Sequence, residues 1–409
     1  MQTKLADFIA GTAEGEEAKD IVGNCVHCGF CLATCPTYQL LGDELDGPRG
    51  RIYLIRQVLE GVEPTSKTQL HLDRCLTCRA CETTCPSGVQ YGRLLDIGRQ
   101  LVDDKVPRTP SAQLMRGALR EGMTSKAFAP AMRLGQALRP LLPSSLKAKV
   151  PPTQQARSWP TRKHARKMLL LTGCVQPAMS PNINTATARV FDSVGIEMLT
   201  PAAAGCCGAI RHHLSDQEGA LEDARRNIDA WWPHIDADAE ALVMNASGCG
   251  AMVREYAHLL RHDPKYADKA ARVSEMTRDL IELLPEFSTA LKNSQRVTTP
   301  QRVVFHPPCT LQHAQKIRGA VEAMLTTLGA EVLPFADSHL CCGSAGTYSV
   351  LQPQLSQQLR DRKLDALMAP EPAVILSANI GCITHLAGAA QIPVQHWIEW
   401  LDARLSPGK

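Results

Sequence analysis

The 409-residue sequence predicts a multidomain α+β chain: a mostly α-helical N-terminal module, then two α/β repeats with parallel sheets that pack as a pseudo-dimer. Three observations predict it. A four-cysteine motif near the N-terminus recurs fifty positions later, with helical periodicity between the copies. A longer cysteine pattern occurs twice in the C-terminal half. Each copy of that pattern alternates short apolar runs with helix-like stretches, as strands buried in a parallel sheet do.

The first motif is Cys25, Cys28, Cys31 and Cys35 followed by Pro36, and its copy is Cys75, Cys78, Cys81 and Cys85 followed by Pro86. Arg51–Glu60 and Tyr91–Asp103 read as helices, which leaves the cysteines in loops and at helix starts. Residues 106–167 then hold thirteen Lys/Arg against one acid, Glu121, together with eight prolines. This segment reads as a basic connector with short helices, such as Ala112–Leu119 and Ala127–Leu138. It is a solvated linker or a docking surface for an acidic partner or an anionic membrane face. Nucleic acid is not expected, since few aromatic residues interleave the charges.

The longer pattern places Cys174, the pair Cys206–Cys207 and Cys249 in one copy, and Cys309, Cys341–Cys342 and Cys382 in the other. The first gap is 31 residues in both copies, and the second is 41 and 39. Strands are expected at Lys167–Leu171, Val194–Leu199 and Ala241–Met244, and again at Arg302–Phe305, Leu328–Leu333 and Ala373–Leu376. The cysteines then fall where loops leave strand ends. The expected division is 1–105 for the helical module, 106–165 for the connector, 166–295 for the first repeat and 296–409 for the second.

Sixteen cysteines exceed ordinary usage without reaching the density of a small disulfide scaffold. The acidic first twenty residues lack an apolar signal region, so a reducing cytoplasm with metal-binding thiolates is the expectation. The longest charge-free run, around Met168–Ala188, is broken by Pro177 and Pro181, so no spanning helix is expected and any membrane contact is peripheral.

The chemistry explains the first motif. In C-x2-C-x2-C-x3-C-P, three thiolates two residues apart wrap three corners of a [4Fe–4S] cube, and the fourth cysteine reaches the neighbouring cluster. The reading is Cys25, Cys28, Cys31 and Cys85 on one cluster, with Cys75, Cys78, Cys81 and Cys35 on the other. Structural zinc prefers C-x2-C pairs split by a longer loop and explains the pattern poorly. With four thiolates per cluster, His27 and His71 are surface or supporting groups, and Gly47–Arg51 reads as a helix entry whose cations tune the clusters.

These motifs, with Gly47–Ile52 (GPRGRI), Gly205–Gly208 (GCCG), His306–Cys309 (HPPC) and Leu340–Gly343 (LCCG), resemble over the whole chain the iron–sulfur subunits of glycolate oxidase (glycolate dehydrogenase). That family joins a twin-cluster ferredoxin module to two cysteine-rich CCG repeats. The resemblance implies an electron-transfer subunit in a hetero-oligomer. FAD-bearing partner subunits would oxidise glycolate or another 2-hydroxy acid, and electrons would pass toward a quinone or other acceptor. No residue of this chain is expected to be catalytic, and no dinucleotide or P-loop signature is present. Alternatives are a CCG-type disulfide or quinone reductase, or the related subunit of a lactate or glycerol-3-phosphate dehydrogenase.

The chain departs from the wider CCG pattern, in which each repeat ends in C-x2-C. Met252 and His385 stand where the last cysteine would be. The four cysteines left in each repeat hold an additional cluster, hold zinc, or lie buried and free. His385 is a candidate extra ligand, while His212, His213 and His313 read as structural.

Overall fold

The computed structural model describes residues 2–143, 147 and 150–405. In the N-terminal module, helices Ala13–Gly23, Pro48–Leu59, Ser66–Asp73 and Tyr91–Lys105 pack around Val22, Ile52, Ile55, Leu59, Leu94, Leu95 and Val102. Prolines set two helix starts, Pro36 after Cys35 and Pro48 after Gly47, where the missing N–H costs nothing. All eight cysteines of the paired motif lie in the loops, short turns and helix ends between these helices.

The basic segment carries helices Pro110–Thr124 and Phe128–Ala137. Many of its cations pair with acids of the same chain: Arg108 with Asp73 at 2.6 Å, Lys163 with Glu197 at 2.6 Å, Arg166 with Glu240 at 2.8 Å, and Arg162 with Asp192. Their charge is therefore partly spent within the molecule.

Each repeat builds a parallel four-stranded sheet. In the first, β1 (Arg166–Leu170), β2 (Ile196–Leu199), β3 (Leu242–Met244) and β4 (Thr277–Asp279) stand in the order β2-β1-β3-β4. In the second, β5 (Arg302–His306), β6 (Glu331–Val332), β7 (Val374–Ser377) and β8 (Val394–His396) stand in the order β6-β5-β7-β8. Central strands are buried on both faces, as their apolar runs require. The fourth strand of each sheet was not foreseen. Thr-Arg-Asp and Val-Gln-His are three residues long and carry polar side chains, so they give no strand periodicity.

The two repeats share one core, in which Phe191, Leu170 and Ile183 pack with Phe305, Trp397 and Leu401. Arg189 pairs with Asp402 at 2.7 Å across the joint, and Ser247 N–H donates to the Ala378 carbonyl at 3.0 Å. The pseudo-dimer is therefore a continuous hydrophobic body. The helical module docks on both halves, through Arg79 to Glu255 of the first repeat and Tyr348 Oη to the Arg74 carbonyl from the second.

Candidate iron–sulfur centres

The paired motif folds into two adjoining cavities. One, about 440 Å³ with its open mouth included, is bordered by Cys25, Cys28, Cys31 and Cys85. The other, about 300 Å³ on the same measure, is bordered by Cys35, Cys75 and Cys78. Cys81, Pro48 and Tyr91 border both. The fourth cysteine of each motif thus stands at the cavity of the other motif. None of the sixteen cysteines forms a disulfide. Burial pushes the Cys78 and Cys81 thiols well above their ordinary range, so unliganded sulfurs here stay protonated. A soft cation that takes thiolates in place of protons suits this donor set.

A buried polar network supports the second cavity. Asp46, 0 % exposed, receives Arg51 Nη2 at 3.5 Å and Arg74 Nη1 at 2.8 Å, and lies 3.1 Å from His71 Nδ1. Arg51, 1 % exposed, also donates to the His71 carbonyl at 2.7 Å and to Thr37 Oγ1 at 3.2 Å. Burial alone would weaken its charge, yet Cys75, Tyr91, Cys35 and Asp46 together hold it charged. A permanent cation therefore faces Cys75 and Cys35. His27 borders the first cavity and His71 serves the network.

The CCG cysteines assemble at the carboxyl ends of the strands. Cys174 follows β1, Cys206–Cys207 follow β2 and Cys249 follows β3, around the point where strand order reverses. The Cys-Cys-Gly glycine has a backbone cause. Gly208 and Gly343 adopt φ of +88° and +85°, and a Cβ there would lie 2.9 Å from the Ala220 carbonyl and 2.5 Å from that of Ser356. Their N–H groups donate to Cys206 and Cys341 sulfur at 3.4 Å.

In the first repeat, Cys174, Cys206, Cys207 and Cys249 form a relay of thiol contacts. Donation from Cys174 and then Cys207 holds the Cys206 thiol well below its ordinary range despite burial. In the second, Cys309 and Cys341 sulfurs are 3.9 Å apart, and Cys342 touches Cys382. His306, Cys342 and Cys382 place their ligand atoms within 4.8 Å of one another.

The histidines divide by what they touch. His385, a candidate ligand by sequence, lies with Nε2 3.1 Å from Ser356 Oγ, while His306 at the end of β5 lies beside the thiols. His212 Nε2 meets Asp96 Oδ2 at 3.1 Å, and His313 Nδ1 meets Thr83 Oγ1 at 3.1 Å, both at module joints. Cys78 and Cys341 share a buried group with Leu76, Tyr348 and Leu359, so the second cavity abuts the second repeat's sulfurs.

Twin cysteine cradles in a helical module, followed by two CCG repeats, define an iron–sulfur protein of the dicluster class. Residues 21–89 match the 4Fe-4S dicluster domain, and residues 168–254 and 303–387 match the cysteine-rich domain. The chain is 54 % identical over 407 residues to the glycolate oxidase iron-sulfur subunit of Escherichia coli K12, covering 99 % of each chain. It is 30 % identical to a probable glycolate oxidase iron-sulfur subunit of Bacillus subtilis, covering 89 % and 88 %. Lactate utilization protein A of Geobacillus thermodenitrificans is 28 % identical, over 58 % of this chain and 99 % of its own. The chain belongs to the family of glycolate oxidase iron–sulfur subunits.

Proposed function

We propose that this chain is the electron-transfer subunit of a complex that oxidises glycolate, with FAD-bearing partner subunits carrying the substrate chemistry. One observation carries the reading: the sulfur-lined sites are contiguous. Cys81 borders both N-terminal cavities, and Cys78 packs with Cys341. When bound, [4Fe–4S] clusters supply one-electron carriers. Cys25, Cys28, Cys31 and Cys85 would hold one, and Cys75, Cys78, Cys81 and Cys35 the other. The protein holds the sulfurs, buries those of the second site more deeply than those of the first, where Cys28 is exposed, and sets a buried cation, Arg51, beside the second. The names and coverage of the relatives from E. coli and B. subtilis support glycolate as the substrate of the complex.

The acceptor is read as quinone-type. A cavity of about 1280 Å³, its open mouth included, lies where the three cysteine-bearing parts meet, with Thr77, Gly248 and Thr310 in its wall beside Cys78, Cys249 and Cys309. The guanidiniums lining it are paired, Arg79 and Arg93 with Glu255 and Arg261 with Glu17, which favours an uncharged ligand over a carboxylate. No helix among the described residues is long and apolar enough to cross a membrane. Peripheral contact is supported by exposed Leu114, Leu134 and Leu141 beside Arg133 and Lys126 on the connector.

The test is anaerobic isolation from native cells. The expected result is co-purification with flavoprotein subunits, bleaching of the 400 nm region by glycolate, and recovery on adding a short-chain quinone. A preparation without iron, or one whose clusters ignore glycolate in the presence of bound flavoprotein, overturns the reading.

A further inference from the structure

We propose that His306 is a nitrogen ligand of an iron–sulfur centre held in the second repeat by Cys309, Cys341, Cys342 and Cys382. The inference rests on the reading above that the chain carries iron–sulfur centres.

Both ring nitrogens of His306 are buried and have no hydrogen-bond partner among the described residues, and the side chain is 1 % exposed. Buried polar atoms left without a partner bear their full desolvation penalty, and a metal-ligating role is one way such an orphan is satisfied. The thiols that would share that ion stand beside it, with Cys342 and Cys382 inside the same 4.8 Å group. Burial, with the charge of nearby Lys363 added to it, keeps the imidazole neutral, the form that binds metal.

The first repeat provides an internal comparison. β1 and β5 pair with β3 and β7 in the same register, which sets Leu171 at the place of His306. The two Cys-Cys-Gly turns pack on Ala220 and Ser356, which sets Asn227 at the place of Lys363. Asn227 is neutral and donates to the Cys206 carbonyl at 2.7 Å. Lys363 is buried, donates to the Asp337 carbonyl at 2.5 Å, and lies near Cys341 and Cys342. The second repeat thus adds a nitrogen donor and a cation where the first has an apolar and a neutral side chain. Four thiolates and an imidazole exceed the four ligands of a structural zinc ion, and a cation beside them offsets the negative charge of a thiolate-bound iron centre. The imidazole also takes up the ligand position left open when the repeat's last cysteine is missing.

The experiment uses the full chain, prepared anaerobically with natural-abundance or ¹⁵N-labelled histidine. Pulsed EPR of the wild type is expected to show a strongly coupled histidine nitrogen that changes with the label. His306→Leu, which copies the residue tolerated in the first repeat, is expected to lose that coupling and one centre's worth of iron and sulfide. His306→Cys is expected to keep the iron and lose the coupling. No histidine coupling in the wild type, unchanged iron in His306→Leu, or stoichiometric zinc in this site overturns the proposal. If instead no iron is present in any variant, it is the electron-transfer reading that fails.

Discussion

Arg79 Nη1 lies 2.8 Å from Glu255 Oε1, and this pair ties a cysteine loop of the helical module to the first CCG repeat. Arg79 sits between Cys78 and Cys81 with φ +57° and borders the second cavity while its guanidinium reaches the repeat. Arg93 closes on the other carboxylate oxygen at 3.1 Å. One acid of the repeat therefore fixes the loop that contributes two thiols to the second cavity.

Glu255→Gln should free that loop. Two largely buried guanidiniums would lose their counter-charge, at a cost of about 2–3 kcal/mol after allowing for partial exposure. The expected result is faster amide exchange over residues 76–84 and faster iron loss to a chelator. The Glu255 carboxyl is held below its ordinary range because Arg79 and Arg93 outweigh burial. Its contribution is present above the ordinary glutamate range and is lost as pH falls through the depressed value. The variant and wild type should therefore converge in strong acid.

Arg51→Leu should lower the potential of the cluster beside Cys75 and Cys35, because a cation that stabilises the added electron is gone. It also leaves Asp46 buried with less compensation, at about 3 kcal/mol. An EPR-monitored redox titration should show one cluster shifted and the other unmoved. Equal shifts in both would reject a local charge effect.

The crossed cavities predict crossed losses. Cys85→Ser should remove the cluster of Cys25, Cys28 and Cys31, although it lies in the second motif. Cys35→Ser should remove the one held by Cys75, Cys78 and Cys81. EPR of each reduced variant reads which signal remains. A variant that loses the cluster of its own motif alone would refute the crossing.

The module joint should loosen in alkali. Burial opposes a charge on His212, but Asp96 at 3.1 Å overcomes it and raises the imidazole above its ordinary value. Burial instead lowers the adjoining His213, which stays neutral. The His212 contribution is complete below about pH 6.5 and disappears as pH rises through the raised folded value. The Tm gap between wild type and His212→Gln should narrow from pH 6 to pH 9. A gap that holds constant would show that the ion pair contributes nothing.

The fifty-residue repeat was legible because cluster geometry dictates thiolate spacing, whatever the surrounding residues. The four central strands were legible because a sheet covered on both faces needs uninterrupted apolar runs, and the edge strands β2 and β6 because each follows a helix-like stretch. What escaped has no such local signal. β4 and β8 are too short and polar to register. His306 stood in a visible His-Pro-Pro-Cys run, but its role depends on where β7 brings Cys382. His385, three residues beyond Cys382, looked nearer in sequence and yet turns to Ser356. Arg51 was read as a tuning cation from its motif, whereas its burial on Asp46 required the packed helices.

The connector is the remaining surface to test. Leu114 and Leu141 are 76 % and 82 % exposed, and helix Pro110–Thr124 buries no residue. Because several neighbouring cations are spent on Asp73, Asp192, Glu197 and Glu240, charge reversal at Arg162, Lys163 and Arg166 would break internal pairs as well as alter the surface. The cleaner variant is Leu114→Ser with Leu134→Ser and Leu141→Ser, which removes apolar contact and leaves every pair intact. Wild type should sediment with vesicles containing anionic lipid and release in high salt, since Lys126, Arg133 and Lys167 are exposed. The triple variant should bind about tenfold less, as loss of about 1.4 kcal/mol of apolar contact requires. If both proteins sediment equally, the leucines take no part in the contact; if neither does, the peripheral-membrane reading falls.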